Sequence, residues 1–335
     1  MKHLVVTTIN KPTQAMIELA EGAKNSGWKM IIIGDRKSPP DFQLPGTEYY
    51  DLSRQVATGF KFAKAVPVGH YARKNVGYLI AMANKATAIT ETDDDNLPLE
   101  SFWLDRPLMQ SAPALQQDAW INVYRYFTDL PIWPRGLPLN EIQQQCVPRA
   151  QIPVRDIACP VHQGLANENP DVDAIFRLAF PLPLDFQDND PLILTGRSWC
   201  PFNSQNTKWF PEAFQLMYLP YHCSFRMTDI WRSFVVERIL FGNGKGVLFH
   251  NASVYQDRNE HDLMKDFSDE VVGYLNNNEI RNRLLELPLG DRPETMLSDL
   301  EKSYELLIDM GLVGSDEREL ISAWRSDCER IWEGA

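Results

Sequence analysis

Residues 4–9, Leu-Val-Val-Thr-Thr-Ile, are an apolar and β-branched run that is followed by Asn10 and Pro12. A short run of this kind predicts a strand that is buried on both faces. Residues 12–27 carry apolar side chains at helical spacing and end in Asn-Ser-Gly, which is typical of a helix and its C-terminus. Residues 28–33, Trp-Lys-Met-Ile-Ile-Ile, are mostly apolar again. Strand, helix and strand in this order form a βαβ unit, which predicts an α/β fold with a parallel sheet.

The carboxyl ends of the strands are the places where such a sheet binds its ligands. Thr8 and Asp35 stand at the ends of the first two predicted strands, so we expect both to lie beside a ligand. Residues 71–83 have the apolar spacing of a second helix. Residues 87–92 predict a third buried strand, which runs directly into the acidic triplet at residues 93–95.

The acidic triplet Asp93-Asp94-Asp95 is the strongest functional signal in the sequence. Three carboxylates at the end of a buried strand repel one another, and their burial without a cation is costly. A divalent metal removes that cost and prefers oxygen ligands. Because side chains alternate along a strand, we expect Asp93 and Asp95 to face the same way and to share one ion. The alternative is a solvated turn, in which Asp and Asn are common.

The composition narrows the classes of protein and partner. The chain has 335 residues, with 33 Lys+Arg against 45 Asp+Glu and a net charge of −12. This length fits one or two domains, and the negative charge argues against a nucleic-acid polymer as the partner but leaves room for a small anionic ligand. The five cysteines form no CxxC pair, and no stretch reaches the ~20 apolar residues of a transmembrane helix. We expect a soluble, cytoplasmic chain, and its oligomeric state is open.

Two stretches around the triplet resemble a known family. Residues 74–79, Lys-Asn-Val-Gly-Tyr-Leu, and residues 91–96, Glu-Thr-Asp-Asp-Asp-Asn, are similar to the STELLO-type glycosyltransferases, which have a GT-A fold. More distantly, they resemble the reversibly glycosylated polypeptides that act as UDP-arabinopyranose mutases. Several collinear motifs are more specific than one acidic motif. The likeness covers residues 3–260 and continues in residues 163–166, 170–174, 201–206, 229–233 and His250.

The resemblance implies a fold, a domain division and an activity. The fold is GT-A, with a Rossmann-like, mostly parallel central sheet flanked by helices. A GT-A domain would span residues 1–260, and residues 261–335 would form a helical C-terminal extension. The triplet corresponds to the DxD motif, which holds Mn²⁺ (or Mg²⁺) and the donor diphosphate. The expected reaction moves a sugar from a nucleotide-sugar donor, a UDP-sugar, to a hydroxyl of a glycan, lipid or protein acceptor.

Two other functions stay open at this stage. A UDP-sugar mutase would follow from the second resemblance. A non-catalytic GT-A scaffold that binds a partner would use residues 97–160, which show no clear elements, or the helical tail as its interface. Nucleotidyltransferases share the sheet and the metal, but the sequence has no Gly-rich phosphate loop of the kind with which they begin.

The donor site is predicted from four more residues and two of the aspartates. Arg73 and Lys74 open the second helix, where a basic pair is unfavourable for the helix dipole and indicates an anionic partner. That partner is the donor diphosphate or the uracil, or else one of the surplus carboxylates. The predicted nucleotide-sugar-binding residues are Thr8, Asp35, Arg73, Lys74, Asp93 and Asp94.

The acceptor side is predicted from a helix start and a polar loop. Asp229 begins an amphipathic run, so it is either a helix cap or, as the resemblance implies, the general base that deprotonates the attacking hydroxyl. The facing loop would supply amide hydrogen bonds and one aromatic surface to a sugar, or it is an ordinary turn. The predicted acceptor-binding residues are Asn203, Gln205, Asn206 and Trp209.

His250 is the one histidine with a predicted role. Residues 247–249 are apolar and predict a strand, whose end would place His250 at the same sheet edge as the aspartates. Because imidazole tolerates Mn²⁺, the predicted metal ligands are Asp93, Asp95 and His250.

Overall fold

The computed structural model describes residues 1–256 and 262–334. The strands and helices that the apolar runs predict before the triplet are present, and residues 47–65 add one short strand and two short helices that the sequence did not predict. The strands are β1 (Lys2–Thr8), β2 (Lys29–Gly34), β3 (Thr47–Tyr50), β4 (Ala88–Thr92), β5 (Asn96–Pro98), β6 (Met109–Leu115), β7 (Ala119–Trp120), β8 (Val154–Ala158), β9 (Val161–Asn167), β10 (Leu192–Thr195), β11 (Ser198–Trp199), β12 (Asn206–Trp209) and β13 (Gly246–Gln256).

The α-helices of the described residues pack around this sheet, and the last three follow one another without an intervening strand. They are α1 (Gln14–Asn25), α2 (Leu52–Ala57), α3 (Lys61–Ala65), α4 (Lys74–Ala83), α5 (Ala174–Ala179), α6 (Thr228–Gly242), α7 (Leu263–Glu286), α8 (Met296–Asp309) and α9 (Glu317–Glu333). Short 3₁₀ turns connect several of them, including Tyr71–Arg73 directly before α4. None of the helices in the described ranges is long and apolar enough to cross a membrane.

One large sheet forms the centre of the fold. Its strand order is β3-β2-β1-β4-β12-β9-β13-β10-β6-β8, and β5 pairs with β13 beside this path. The first four strands are all parallel, whereas β12 runs antiparallel between β4 and β9. The predicted α/β class, with a large central sheet flanked by helices and followed by C-terminal helices, is confirmed and is consistent with a GT-A-like fold.

The βαβ unit forms for local reasons. Thr13 caps α1, because its side chain accepts a hydrogen bond from the backbone N–H of Met16 at 3.1 Å. Gly27 has a φ of 69° and turns the chain into β2. On the other side of the sheet, Gly77 lets α4 lie close to β1, since a Cβ there would come within 2.5 Å of Val5 Cγ1.

The three C-terminal helices share a core with the sheet. Trp324 of α9 is fully buried in the same apolar cluster as Val5 and Phe62, and its Nε1 donates to the carbonyl of Gln215 at 3.0 Å. The Asp327 carboxylate of the same helix accepts hydrogen bonds from the N–H groups that begin α3. The predicted boundary at residue 260 lies outside the described residues, so the division into two domains stays a prediction.

Candidate functional site

A cavity of about 510 Å³ opens at the carboxyl ends of β1, β2 and β4. This is where a doubly wound sheet binds ligands. Thr8, Asp35 and the whole acidic triplet line it, as the strand-end argument predicts. Asp229, at the start of α6, lines the opposite side.

The triplet lies in the turn between β4 and β5, and not in the strand itself. Strand alternation therefore does not orient its side chains, although all three reach the cavity. Asp94 is fixed to the first strand: its Oδ2 accepts from Thr8 Oγ1 at 2.5 Å and from Asn10 Nδ2 at 3.0 Å. Two strand ends that are 86 residues apart are thus joined by one carboxylate.

Lys74 forms an ion pair with the acidic triplet. Its fully buried Nζ lies 2.9 Å from Asp93 Oδ1 and also donates to the carbonyl of Thr92 at 3.1 Å. Burial raises the pKa of Asp93, and Lys74 opposes that rise. In the structure, Lys74 thus forms the ion pair with a carboxylate that the sequence left open as the alternative to a phosphate contact.

Arg73 lines the cavity but is held by neutral groups. Its Nε and Nη2 donate to Gln55 Oε1 at 2.9 and 2.6 Å, and its Nη1 donates to the carbonyl of Val66 at 2.8 Å. Burial lowers its pKa, while Asp35 raises it. The Arg73 guanidinium therefore contributes a positive charge to the cavity wall, and its hydrogen-bond partners are neutral. Such a charge is available to an anionic ligand.

Asp35 shapes the wall of the cavity. Its Oδ2 accepts from the backbone N–H groups of Gly69 and His70 at 2.7 and 3.1 Å, and its Oδ1 accepts from Arg36 N–H at 2.6 Å. The carboxylate thereby holds the loop before α4 against the end of β2. Any contact between Asp35 and a ribose would use the lone pairs that remain.

Asp95 is the least compensated member of the triplet. Burial, and after it the charge of Asp93, raises the pKa of Asp95 to about 7. Its side-chain partner is Gln256, whose Nε2 lies 3.1 Å from both carboxylate oxygens. Because Gln256 is neutral, it does not balance the negative charge of the Asp95 carboxylate.

The structure does not place His250 beside the triplet as a metal ligand, because β13 is longer than predicted. The strand does not end after residue 249 but continues through a bulge to Gln256, which is the residue that reaches the triplet. His250 lies in mid-strand, 6% exposed, and lines a separate small cavity with His162 and Lys208. The strand predicted over residues 247–249 is too short because the register shift between His250 and Val254 has no simple sequence signature.

The chemistry of the triplet fits a hard divalent cation, although no group of three His, Cys, Asp or Glu side chains in residues 1–256 and 262–334 is already arranged around a metal position. Carboxylate oxygens are the ligands that Mn²⁺ and Mg²⁺ prefer. Burial and the charge of Asp93 disfavour the ionised form of Asp95, and a bound cation would offset both effects. Asp93 and Asp95 are therefore suited to hold one, once Gln256 releases Asp95.

The opposite end of the cavity is balanced within the protein. Arg135, 5% exposed, donates through Nε and Nη2 to both oxygens of Asp171 at 2.7 and 2.8 Å. The same Nη2 lies 3.1 and 3.2 Å from the two oxygens of Asp229. Burial acts to raise the pKa of Asp229, but Arg135 and then Arg232 hold it below its usual range. Asp229 is therefore an ionised carboxylate in a buried ion-pair network.

The predicted acceptor residues separate into one that faces the cavity and three that do not. Gln205 lines it. Asn203 is buried and donates to Asp171 Oδ2 at 2.9 Å, and Asn206 is buried between β9 and β13. Trp209 is fully buried, with its Nε1 on Glu91 at 2.8 Å, so it offers no face to a sugar. It lies in β12 at the centre of the sheet, and not in a loop.

Several residues that line the cavity were not predicted as individual site residues, and Tyr71, Arg135, Asp171 and Gln256 are among them. Asp171 stands in a motif that carried the resemblance, which was the one signal for it. Arg135 lies in the proline-rich stretch that has no periodic pattern, so nothing in the sequence indicated that it pairs with Asp229, 94 residues later.

Comparison with known proteins finds similarity to one family. The model of the STELLO glycosyltransferases matches residues 226–332 of this chain. The STELLO resemblance is confirmed. "Probable glycosyltransferase STELLO2" of Arabidopsis thaliana is 27% identical over 336 residues, which cover 94% of this chain and 42% of the relative. "Probable glycosyltransferase STELLO1" of the same plant is 28% identical over 262 residues, covering 72% of this chain and 34% of that relative.

The STELLO match also bears on the C-terminal helices. It begins at Arg226 beside the cavity and includes α7, α8 and α9, whereas the sequence analysis ended the resemblance at residue 260. The helices that looked like an appendage therefore lie in the part of the chain that the STELLO model describes. The chain spans less than half the length of the two STELLO relatives.

Proposed function

We propose that this chain is a metal-dependent glycosyltransferase with a GT-A fold, which moves a sugar from a UDP-sugar to an acceptor hydroxyl. The observation that carries the proposal is the acidic triplet at the strand ends, which lines a cavity of about 510 Å³ and whose Asp95 has only the neutral Gln256 as its side-chain partner among the described residues. The similarity to the STELLO glycosyltransferases supports the reaction class. The cytoplasmic location expected from the sequence stays a prediction.

Asp93 and Asp95 would hold Mn²⁺ or Mg²⁺ as a DxD motif. When bound, such an ion neutralises the charge that develops on a leaving diphosphate. The protein would contribute the rest of the donor site. Thr8, Asp35 and Arg73 surround the space beside the triplet, where a nucleoside diphosphate would lie.

On the acceptor side, Asp229 would accept the proton of the attacking hydroxyl. Arg135 keeps Asp229 ionised, which a base needs before it can take up a proton, although the ion pair also lowers its intrinsic basicity. Tyr71 and Ser204 fix the carboxylate, since the Tyr71 hydroxyl lies 3.3 Å from Oδ1 and the Ser204 N–H lies 3.1 Å from Oδ2. Gln205, next to Ser204 on the cavity wall, would contact the acceptor.

Thermal unfolding in the presence of UDP tests the donor site. We expect UDP to raise the unfolding midpoint of the wild-type chain more with Mn²⁺ than with EDTA, because a ligand that binds the folded state stabilises it. Asp95→Asn should abolish the Mn²⁺-dependent part of that rise. Asp129→Asn, at an exposed position outside the cavity, is the matched control and should keep it.

Unchanged Mn²⁺-dependent protection in Asp95→Asn would refute the metal site. Protection without any release of UDP from a panel of UDP-sugars, with or without acceptors, would leave a binding protein and refute the transferase. NMR of the UDP-sugars without acceptor separates transfer from ring interconversion, which would indicate a mutase instead.

A further inference from the structure

A second cavity, of about 20 Å³, lies on one face of the central sheet. Lys208 of β12 pairs with Thr90 of β4 on one side and with His162 of β9 on the other, so these three side chains share that face. The segment after β5 closes the cavity with Phe102 and Arg106. The space is about that of one water molecule and excludes an organic ligand.

The charge around this small cavity is positive. Lys208 has one carboxylate near it, Asp105, at 3.4 Å, and Asp105 is 71% exposed and shared with Lys2 at 2.8 Å. No carboxylate lies within ion-pair distance of Arg106 in the described ranges. Burial lowers the pKa of both Lys208 and Arg106, and each repels the other. Two cations thus lie side by side at this cavity in a chain whose net charge is −12.

The polar groups of the cavity also lack partners. His162 is 1% exposed, and neither of its ring nitrogens makes a hydrogen bond of normal length and angle within the described part of the chain, although the backbone of Cys159 is near enough to act on the pKa of the imidazole. The Thr90 hydroxyl is likewise without a hydrogen bond there, although Thr90 is only 5% exposed. Buried donors of this kind are normally satisfied, so a ligand that accepts hydrogen bonds fits the cavity.

A glycine keeps the neighbouring row of side chains in place. A Cβ on Gly164 would come within 2.4 Å of Asn206 Nδ2 and 2.8 Å of His250 Cε1. The Asn206 amide is then free to bind the carbonyl of Leu165 and the Ser253 hydroxyl, both at 2.9 Å. The wall of the cavity is therefore a packed, hydrogen-bonded structure and not a loose surface pocket.

We propose that this cavity binds one monatomic inorganic anion of the size of chloride, held by Lys208, Arg106, His162 and Thr90. A water molecule would satisfy the donors but would not balance the charge of Arg106 or of Lys208, whose one carboxylate partner is exposed, whereas an anion both accepts hydrogen bonds and balances these half-buried cations. It would join three strands, β4, β12 and β9, of which β4 ends directly before the triplet and β12 begins directly after Gln205 at the large cavity. The anion would thus stabilise the framework that carries the triplet.

A chloride titration of the full-length chain at constant ionic strength tests this site. Sodium chloride replaces sodium gluconate stepwise in a metal-free buffer, and the thermal unfolding midpoint is measured. We expect a saturable rise of about 2–4 °C for the wild type. Lys208→Gln and Thr90→Val should lose most of this rise. Lys302→Gln, which removes the same charge from the exposed side of α8, should keep it.

A second measurement does not depend on any variant. Bromide scatters X-rays anomalously and has nearly the size of chloride, so a crystal of the wild-type chain grown in bromide should give a peak between Lys208 and His162. A midpoint that changes linearly with chloride, or that changes equally in Lys208→Gln, would show a general salt effect and overturn the proposal. The absence of a bromide peak in the cavity would do the same.

Discussion

The two ends of the large cavity carry the same kind of side chain in opposite electrostatic states. At the β4 end, Asp95 has a neutral partner, Gln256, and its pKa is raised to about 7. At the α6 end, Arg135 lies between Asp171 and Asp229, and the pKa of Asp229 is lowered. At the β4 end, Lys74 pairs with Asp93 but no cation pairs with Asp95 among the described residues, whereas at the α6 end Arg135 pairs with both carboxylates.

This difference shows that a count of carboxylates does not locate a metal site. Both ends are acidic in sequence, yet among the described residues it is in the triplet that a carboxylate, Asp95, has only a neutral side-chain partner. At the other end, the guanidinium already occupies the position between the carboxylates that an ion would take. The first end is suited to bind a cation, and the second is suited to hold an ionised base.

The largest expected effect comes from removing the internal cation. Arg135→Met leaves Asp171 and Asp229 buried without their partner, and we expect the free energy of unfolding to fall by about 3–5 kcal/mol. Urea unfolding at neutral pH measures the loss. Arg36→Met, at an exposed position on the rim of the same cavity, is the control and should change it by less than about 0.5 kcal/mol.

A loss below about 1 kcal/mol in Arg135→Met would mean that the two carboxylates find other compensation. The comparison between the two ends would then not hold. The double variant Arg135→Met/Asp171→Asn removes one of the two carboxylates that Arg135→Met leaves without a cation. A partial recovery of its free energy of unfolding would support the comparison between the two ends.

The small cavity gives an intermediate effect that depends on pH. Burial, Arg106 and Lys208 lower the pKa of His250 to about 3, against 6.5 in an unfolded chain. The folded state therefore keeps His250 neutral while the unfolded state takes up a proton as the pH falls. This stability is fully present above pH 6.5 and is lost as the pH falls towards 3, by about 2 kcal/mol between pH 8 and pH 5.

The difference between wild type and His250→Gln isolates this contribution, because other groups titrate equally in both. Urea unfolding of the two chains should show a gap that changes by about 2 kcal/mol from pH 8 to pH 5. The same buffers and ionic strength are needed at both pH values, since the cavity is positively charged. A gap independent of pH would indicate that the histidine is not kept neutral.

The smallest expected effect has the opposite sign. Asp95→Asn removes a carboxylate whose charge the folded state disfavours, while the new amide can still accept from Gln256. In EDTA at pH 8, we expect the free energy of unfolding of the variant to be about 1 kcal/mol higher than that of the wild type. Denaturant midpoints measure it. A destabilised Asp95→Asn would show that the triplet is compensated after all, and the two ends would then be alike.

How far the sequence predicts the site depends on how local each signal is. Thr8, Asp35 and the triplet follow from strand ends, because a parallel sheet brings those ends together whatever the rest of the chain does. Trp209 was misplaced because the run from residue 201 contains Pro, Asn and Ser and looks like a loop, while the structure inserts residues 206–209 as a central antiparallel strand. The order of the strands, which no local pattern encodes, decides that.

The C-terminal helices illustrate the same limit. Their apolar spacing predicts helices over residues 262–335, and α7, α8 and α9 confirm it. The spacing could not show that Trp324 packs beside Phe62 and Tyr218, or that Asp327 caps the start of α3. The apolar face of an amphipathic helix indicates that the helix packs against another element, but the sequence pattern does not identify that element.

By itself, the sequence determined the alternation of strands and helices, the strand ends that meet at the cavity and the acidic triplet among them. These follow from hydrogen-bond periodicity and side-chain burial within a few residues. The tertiary structure decided the charges: Arg135 between two aspartates, Gln256 on the triplet, and His250 beside Lys208. Whether a carboxylate is compensated depends on groups within a few ångströms in space, and here those groups lie 36 to 161 residues away along the chain.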